Sequence, residues 1–218
     1  MGEIWCGAAI GLVALGVAVR WGPWVVALFT SPRASESPRD PPRAWPLALV
    51  TAAVLGGVVT VLHRQPSWVP AYAWLGVVGV WLAAIDLREH RLPDPLVLPS
   101  YPVVGLLLGL AALLDDAPGR LLRAAVAGLV CFAVFLVLYR LAGGGLGRGD
   151  VKLVGLLGMA LGWLGWRSVL VGMFAGIVLA GVVALGLLAA RRVHRRDRLA
   201  YGPFLLAGTL LAVLATGG

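Results

Sequence analysis

The sequence predicts an all-α fold: a polytopic transmembrane bundle of about eight spans, N-terminus outside, forming a single membrane domain over residues 1–218. Three observations carry this. Hydrophobic residues make up 60% of the chain and charged residues only 13%, against about 25% charged in a soluble domain, so there is too little polar surface to cover the apolar side chains in water. Apolar segments close to the length of a membrane-spanning helix, about 20 residues, recur along the whole chain. The basic residues are unevenly shared between alternate connections. Strand-type alternation is absent, which argues against a membrane β-barrel.

The spans are expected near 4–29, 45–63, 68–86, 95–114, 120–142, 151–166, 168–190 and 200–216. The first is interrupted by Arg20 and Pro23. It has no basic region before it and no small-residue cleavage site after it, so it is expected to be retained rather than removed. Ser31 to Arg43 is rich in Pro, Ser and Arg, and residues 31–44 are expected to be a flexible cytoplasmic linker. The remaining connections are short, so consecutive helices are expected to run antiparallel. The sixth span is the shortest of the eight. No fixed-period repeat is visible.

One set of alternate connections holds Arg33, Arg39, Arg43, Arg88, Arg91, Arg140, Arg148, Lys152, Arg191, Arg192, Arg195, Arg196 and Arg198, whereas the other holds Arg64, Arg120, Arg123 and Arg167. Basic loops stay in the cytoplasm, so the first set is expected there and both termini outside, in a multi-pass protein of the cell membrane. The net charge of +8 is thereby absorbed into orientation and contact with membrane lipid, and no nucleic-acid partner is expected. Cys6 and Cys131 both lie in apolar stretches and neither belongs to a Cys-x-x-Cys pair, so no metal site is expected. The tryptophans are expected mostly as interfacial anchors.

Two acids stand at the ends of apolar spans on the side assigned to the cytoplasm. Asp86 closes the third span and Asp150 opens the sixth. Alone, Asp86 reads equally as a solvated helix end, and Asp150 as a cap on the free N–H groups of a first turn. The glycine context shifts the balance. Gly143, Gly144, Gly145, Gly147 and Gly149 leave the backbone nearly unrestricted, which suits a loop that admits or approaches an extended peptide. A phosphate-cradling loop would need a G-x-x-x-x-G-K-[ST] spacing, and the segment lacks it.

The stretch Gly147-Arg148-Gly149-Asp150-Val151-Lys152-Leu153, with Leu157 to Trp163 after it, resembles the G-x-G-D block of the prepilin peptidases, the type IV leader peptidases, a family of intramembrane aspartic proteases. Asp86-Leu87-Arg88-Glu89-His90-Arg91-Leu92-Pro93-Asp94 resembles that family's other catalytic block, and Tyr201-Gly202-Pro203-Phe204-Leu205 its stretch in the last span. The resemblance covers about residues 68–216, the expected peptidase core. It implies catalytic roles for Asp86 and Asp150, a site loop with Gly147, Gly149 and Lys152, and a pilin-like precursor as substrate, cut after a Gly at the cytoplasmic face. No cofactor is implied.

Larger family members carry a zinc-binding insert with two Cys-x-x-Cys pairs after the first span; here the linker has no cysteine. The methyl transfer performed by bifunctional members is therefore expected to be absent. Glu89, Asp94 and Asp197 are the acids expected to meet a basic leader, with Lys152 steadying Asp150 or binding a headgroup. His90 is expected to be an exposed interfacial side chain. From helix ends alone, Asp150 is expected to start ionised and Asp86 protonated. Two other classes fit the same composition: a transporter, whose acids would lie near the membrane midplane, and a non-catalytic component of a pilus or secretion machine, which would tolerate loss of either Asp.

Overall fold

The structure, a computed structural model, describes residues 2–30, 44–141, 147–190 and 200–216. Eight α-helices and no strand occur among the described residues: α1 (Gly2–Phe29), α2 (Ala44–Val61), α3 (Val69–Glu89), α4 (Asp94–Leu114), α5 (Pro118–Leu141), α6 (Arg148–Leu164), α7 (Trp166–Ala189) and α8 (Gly202–Ala215). A single 3₁₀ turn, Pro66–Trp68, leads into α3. The expected linker over 31–44, the run Gly143 to Gly145, Asp197 and the Arg191–Arg198 cluster lie outside the described residues, apart from Ala44, which opens α2.

Helix boundaries follow the sequence punctuation. Pro stands in the first turn of α4 and of α8, where its missing N–H costs nothing. Gly165, at a φ of 146° that favours glycine, separates α6 from α7. The expected interruption at Arg20 and Pro23 does not occur: α1 runs through both. Neighbouring helices and side chains commonly re-satisfy the backbone group that an internal Pro frees in a membrane helix. The same tolerance is used in α4, which contains Pro99 and Pro102.

Five helical segments are long and apolar enough to cross a membrane: Ala9–Phe29, Pro66–Glu89, Asp94–Leu114, Pro118–Leu141 and Trp166–Ala189. The apolar stretch Trp45–Val61 and α8 are shorter. Leu106, Leu113, Leu122, Leu129, Leu138, Leu170, Phe174 and Leu185 all point outward. An apolar surface of that extent is not stable against water, and it identifies a multi-pass membrane protein.

α6 is the central helix. It packs against α4, α5, α7 and α8, and most of its residues are buried, from Asp150 to Trp163. Its approach to α5 depends on small residues. A Cβ on Gly158 would meet the Cys131 side chain at 2.7 Å, and one on Gly162 would run into Ala127. Such small-residue seams let membrane helices pack backbone to backbone. Two tyrosine hydroxyls add cross-ties: buried Tyr72 of α3 donates to the Ala160 carbonyl at 2.7 Å, and half-buried Tyr101 of α4 donates to the Lys152 carbonyl at 2.6 Å. Gly155 leaves room for the second, since a Cβ there would collide with the Tyr101 hydroxyl.

The far end of α6 is clamped. Arg123 of α5 donates from Nε to the Gly162 carbonyl (2.7 Å) and from Nη2 to the Trp163 carbonyl (2.8 Å). Nearby, Asp115 accepts from Ser67 Oγ at 2.8 Å and Trp68 Nε1 at 2.7 Å, and Arg120 stacks over the Trp68 ring at 4.9 Å. The α3–α4 connection and the starts of α6 and α8 gather at the opposite end of the bundle.

Candidate active site: a buried carboxylate pair

Asp86 lies one turn before the end of α3, and Asp150 lies in the first turn of α6. Both are buried, with relative exposures of 3% and 7%, and they act on each other electrostatically. The fold thus brings together two carboxylates 64 residues apart in sequence. Neither has an ion-pair partner among the described residues.

The two are held in the same manner. Asp86 Oδ2 accepts the backbone N–H of Gly202 at 3.0 Å, and Asp150 Oδ2 accepts that of Gly147 at 3.2 Å. In each case the donor is a glycine that the carboxylate approaches closely: a Cβ on Gly202 would stand 2.8 Å from Asp86 Oδ2, and one on Gly147 would stand 2.8 Å from Asp150 Oδ2. Asp150 therefore makes the carboxylate half of a capping box; the other half needs a side chain that Gly147 does not have.

This arrangement corrects the helix-end expectation for Asp86. Its carboxylate lies near the C-terminal end of α3, yet its hydrogen bond comes from the first residue of α8. The start of a helix presents free N–H groups and partial positive charge. Both carboxylates meet such a start, so helix ends do not distinguish them.

The chain between α3 and α4 packs the site from one side. His90 ends α3 in the left-handed region, φ 52°, its N–H bonded to the Asp86 carbonyl at 2.8 Å. A non-glycine residue there is uncommon. The turn sends Leu92 back into the bundle, where it is buried. A Cβ on Gly149 would meet Leu92 Cβ at 2.8 Å, and a Cβ on Gly202 would meet Leu92 Cδ2 at 3.4 Å. Leu92 thus fills the space between the starts of α6 and α8. Gly149 is helical rather than part of an open loop, and its missing side chain is needed for close packing on Leu92, not for backbone freedom.

The other expected site residues spread around this core. Lys152 Nζ pairs with Asp94 Oδ2 at 2.6 Å. Positions 150 and 152 lie on opposite faces of α6, which is why Lys152 joins α6 to the start of α4 instead of steadying Asp150. Glu89 is half-buried as the last residue of α3, and His90 is exposed, with its ring in electrostatic reach of Asp86. Gly202 and Leu92 are the site residues that sequence reasoning did not single out. Gly202 was signalled by the Tyr201–Leu205 stretch; Leu92 carried no signal beyond its place in the Asp86 block. An apolar groove of about 410 Å³ runs beside the site between α2, α3 and α8, with Gly79, Ala83 and Leu87 of α3 along one wall.

These features define a polytopic helical membrane protein with a buried carboxylate pair at one end of its bundle. The profile of the type IV leader peptidase family matches residues 71–185, which carry both acids, and the chain belongs to that family. Similar proteins include the prepilin leader peptidase/N-methyltransferases of Aeromonas salmonicida (32% identical, covering 78% of this chain and 57% of that protein) and Pseudomonas aeruginosa (30% identical, 79% and 58%). That of Burkholderia pseudomallei is 34% identical over 74% of this chain and 51% of its own length. The chain therefore spans little more than half the length of the curated relatives it matches. No solved structure matches it significantly.

Proposed function

We propose that this chain is an intramembrane aspartic endopeptidase that removes the basic leader from type IV pilin-like precursors at the cytoplasmic face of the cell membrane. The observation that carries the reading is the pairing of Asp86 and Asp150: buried, in electrostatic contact, each bound by one glycine N–H and by no cation among the described residues. Two like charges in one buried site do not both ionise cheaply, so such a pair shares a proton. The ionised carboxylate takes a proton from water as the water oxygen attacks the scissile carbonyl carbon. The protonated carboxyl donates to the carbonyl oxygen, and collapse of the tetrahedral intermediate returns a proton to the leaving amine. The pair titrates as a unit, and base and acid roles pass between its members during turnover.

The precursor's apolar helix lies between the spans, and the groove along α3 beside Asp86 supports that placement. Glu89, Asp94 and Asp197 receive the leader. Neutralising all three is expected to slow processing relative to wild type, more at low than at high ionic strength; processing at the wild-type rate in both salts would remove that role. Peptide cleavage is proposed without methyl transfer, since the connection after α1 has no cysteine.

Precursor size on a gel tests the central reading. Asp86→Ala and Asp150→Ala should each insert normally and leave precursor uncut, and wild-type processing should fall on both the acid and the alkaline side of its pH profile. Wild-type processing by either variant would refute the proposal.

A further inference from the structure

A second site lies on the other flank of α6. A pocket of about 400 Å³ opens between the end of α5 and the start of α6, lined by Phe132, Leu136, Tyr139, Arg140, Arg148, Val151 and Lys152. Its floor is apolar and its rim is cationic, with no acid in the lining. Lys152 is already paired with Asp94. Arg140 and Arg148 are exposed and have no ion-pair partner among the described residues. Two unneutralised arginines on a pocket that Tyr139 also lines match a phosphate diester, because Arg offers planar, forked donors to phosphate oxygens. The floor beneath them, Phe132, Leu136 and Val151, matches the first segment of an acyl chain. A free phosphate would leave that floor wet, so the occupant must be amphipathic.

The geometry points to this pocket as a binding site for the headgroup and upper acyl chain of an anionic phospholipid. Its position fits: α5 is long and apolar enough to cross a membrane, and Arg140 stands in its last turn, the depth at which phosphates lie. The site is separate from the carboxylate pair but shares its helix. Arg148 is the first residue of α6, and Val151 directly follows Asp150. A lipid held there would touch the turn that positions Asp150.

Retained lipid, read by native mass spectrometry, tests this without any peptidase assay. The full chain is purified in neutral detergent after reconstitution with phosphatidylcholine and phosphatidylglycerol. Wild type should retain phosphatidylglycerol selectively. R140Q/R148Q should bind it roughly 30-fold more weakly, from two lost cation contacts near the membrane surface. L136W, which fills the floor and keeps both cations, should also lose it, with thermal unfolding confirming that the variant is folded. R64Q/R167Q, which removes two cations elsewhere, should bind as wild type. Undiminished retention by R140Q/R148Q would overturn the site, as would an equal loss in R64Q/R167Q. Retention by a folded L136W, or full displacement by inorganic phosphate, would overturn the lipid as occupant.

Discussion

Gly202 is where the missing side chain matters most. Asp86 Oδ2 lies over it, 3.0 Å from its N–H and 2.8 Å from where a Cβ would stand. Gly202→Ala must push the carboxylate off its donor. A hydrogen bond to a charged group is worth about 1.5–3 kcal/mol, so turnover should fall roughly 10- to 100-fold. Unchanged turnover in purified Gly202→Ala would show that the N–H does not hold Asp86 in the working geometry. Gly147 and Asp150 repeat the arrangement on α6, so the two carboxylates are positioned by backbone donors that no side-chain comparison displays.

Among the elements, α6 is buried along most of its length, from Asp150 to Trp163. Its start is set by the site and its end by Arg123. Removing that guanidinium leaves the Gly162 and Trp163 carbonyls without their outside donor, at about 1–3 kcal/mol. Arg123→Ala should lower the unfolding temperature in detergent by several degrees, since about 1 kcal/mol shifts a domain of this size by roughly 2–4 °C. Arg123→Lys, with its charge but no fork, should recover only part. An unchanged melting curve for Arg123→Ala would mean that water caps the helix equally well.

For the whole molecule, eight spans with an exterior N-terminus remain the proposal that unites the basic-residue bias with the shared end occupied by Asp86 and Asp150. Five helical segments meet the length and hydropathy of a span; α2, α6 and α8 cross only if neighbours complete their cover. Thiol labelling of single cysteines in a cysteine-free background separates the cases. Ser35→Cys should react only from the cytoplasm and Asp116→Cys only from outside. Labelling of both from one side would reduce the span count and overturn the orientation.

Most helix limits were legible because Pro, Gly and charge end apolar runs wherever lipid gives way to water, and that rule acts locally. The catalytic candidates were legible as residues: Asp86 and Asp150 are acids at apolar helix ends, in recognisable blocks. Their partners were not. In sequence Gly149 reads as part of a permissive loop, whereas in the fold it packs on Leu92; Lys152 reads as a support for Asp150 or a headgroup contact, whereas in the fold it pairs with Asp94 on the opposite face of α6.

By itself, the sequence determined the helical class, the membrane setting and the identity of the two acids, because composition and apolar period depend on solvent and not on neighbours. Only the tertiary structure decided that Asp86, at the end of one helix, takes its hydrogen bond from the start of another. Such contacts depend on helix packing, and packing is set by small residues and wedges far apart in the chain.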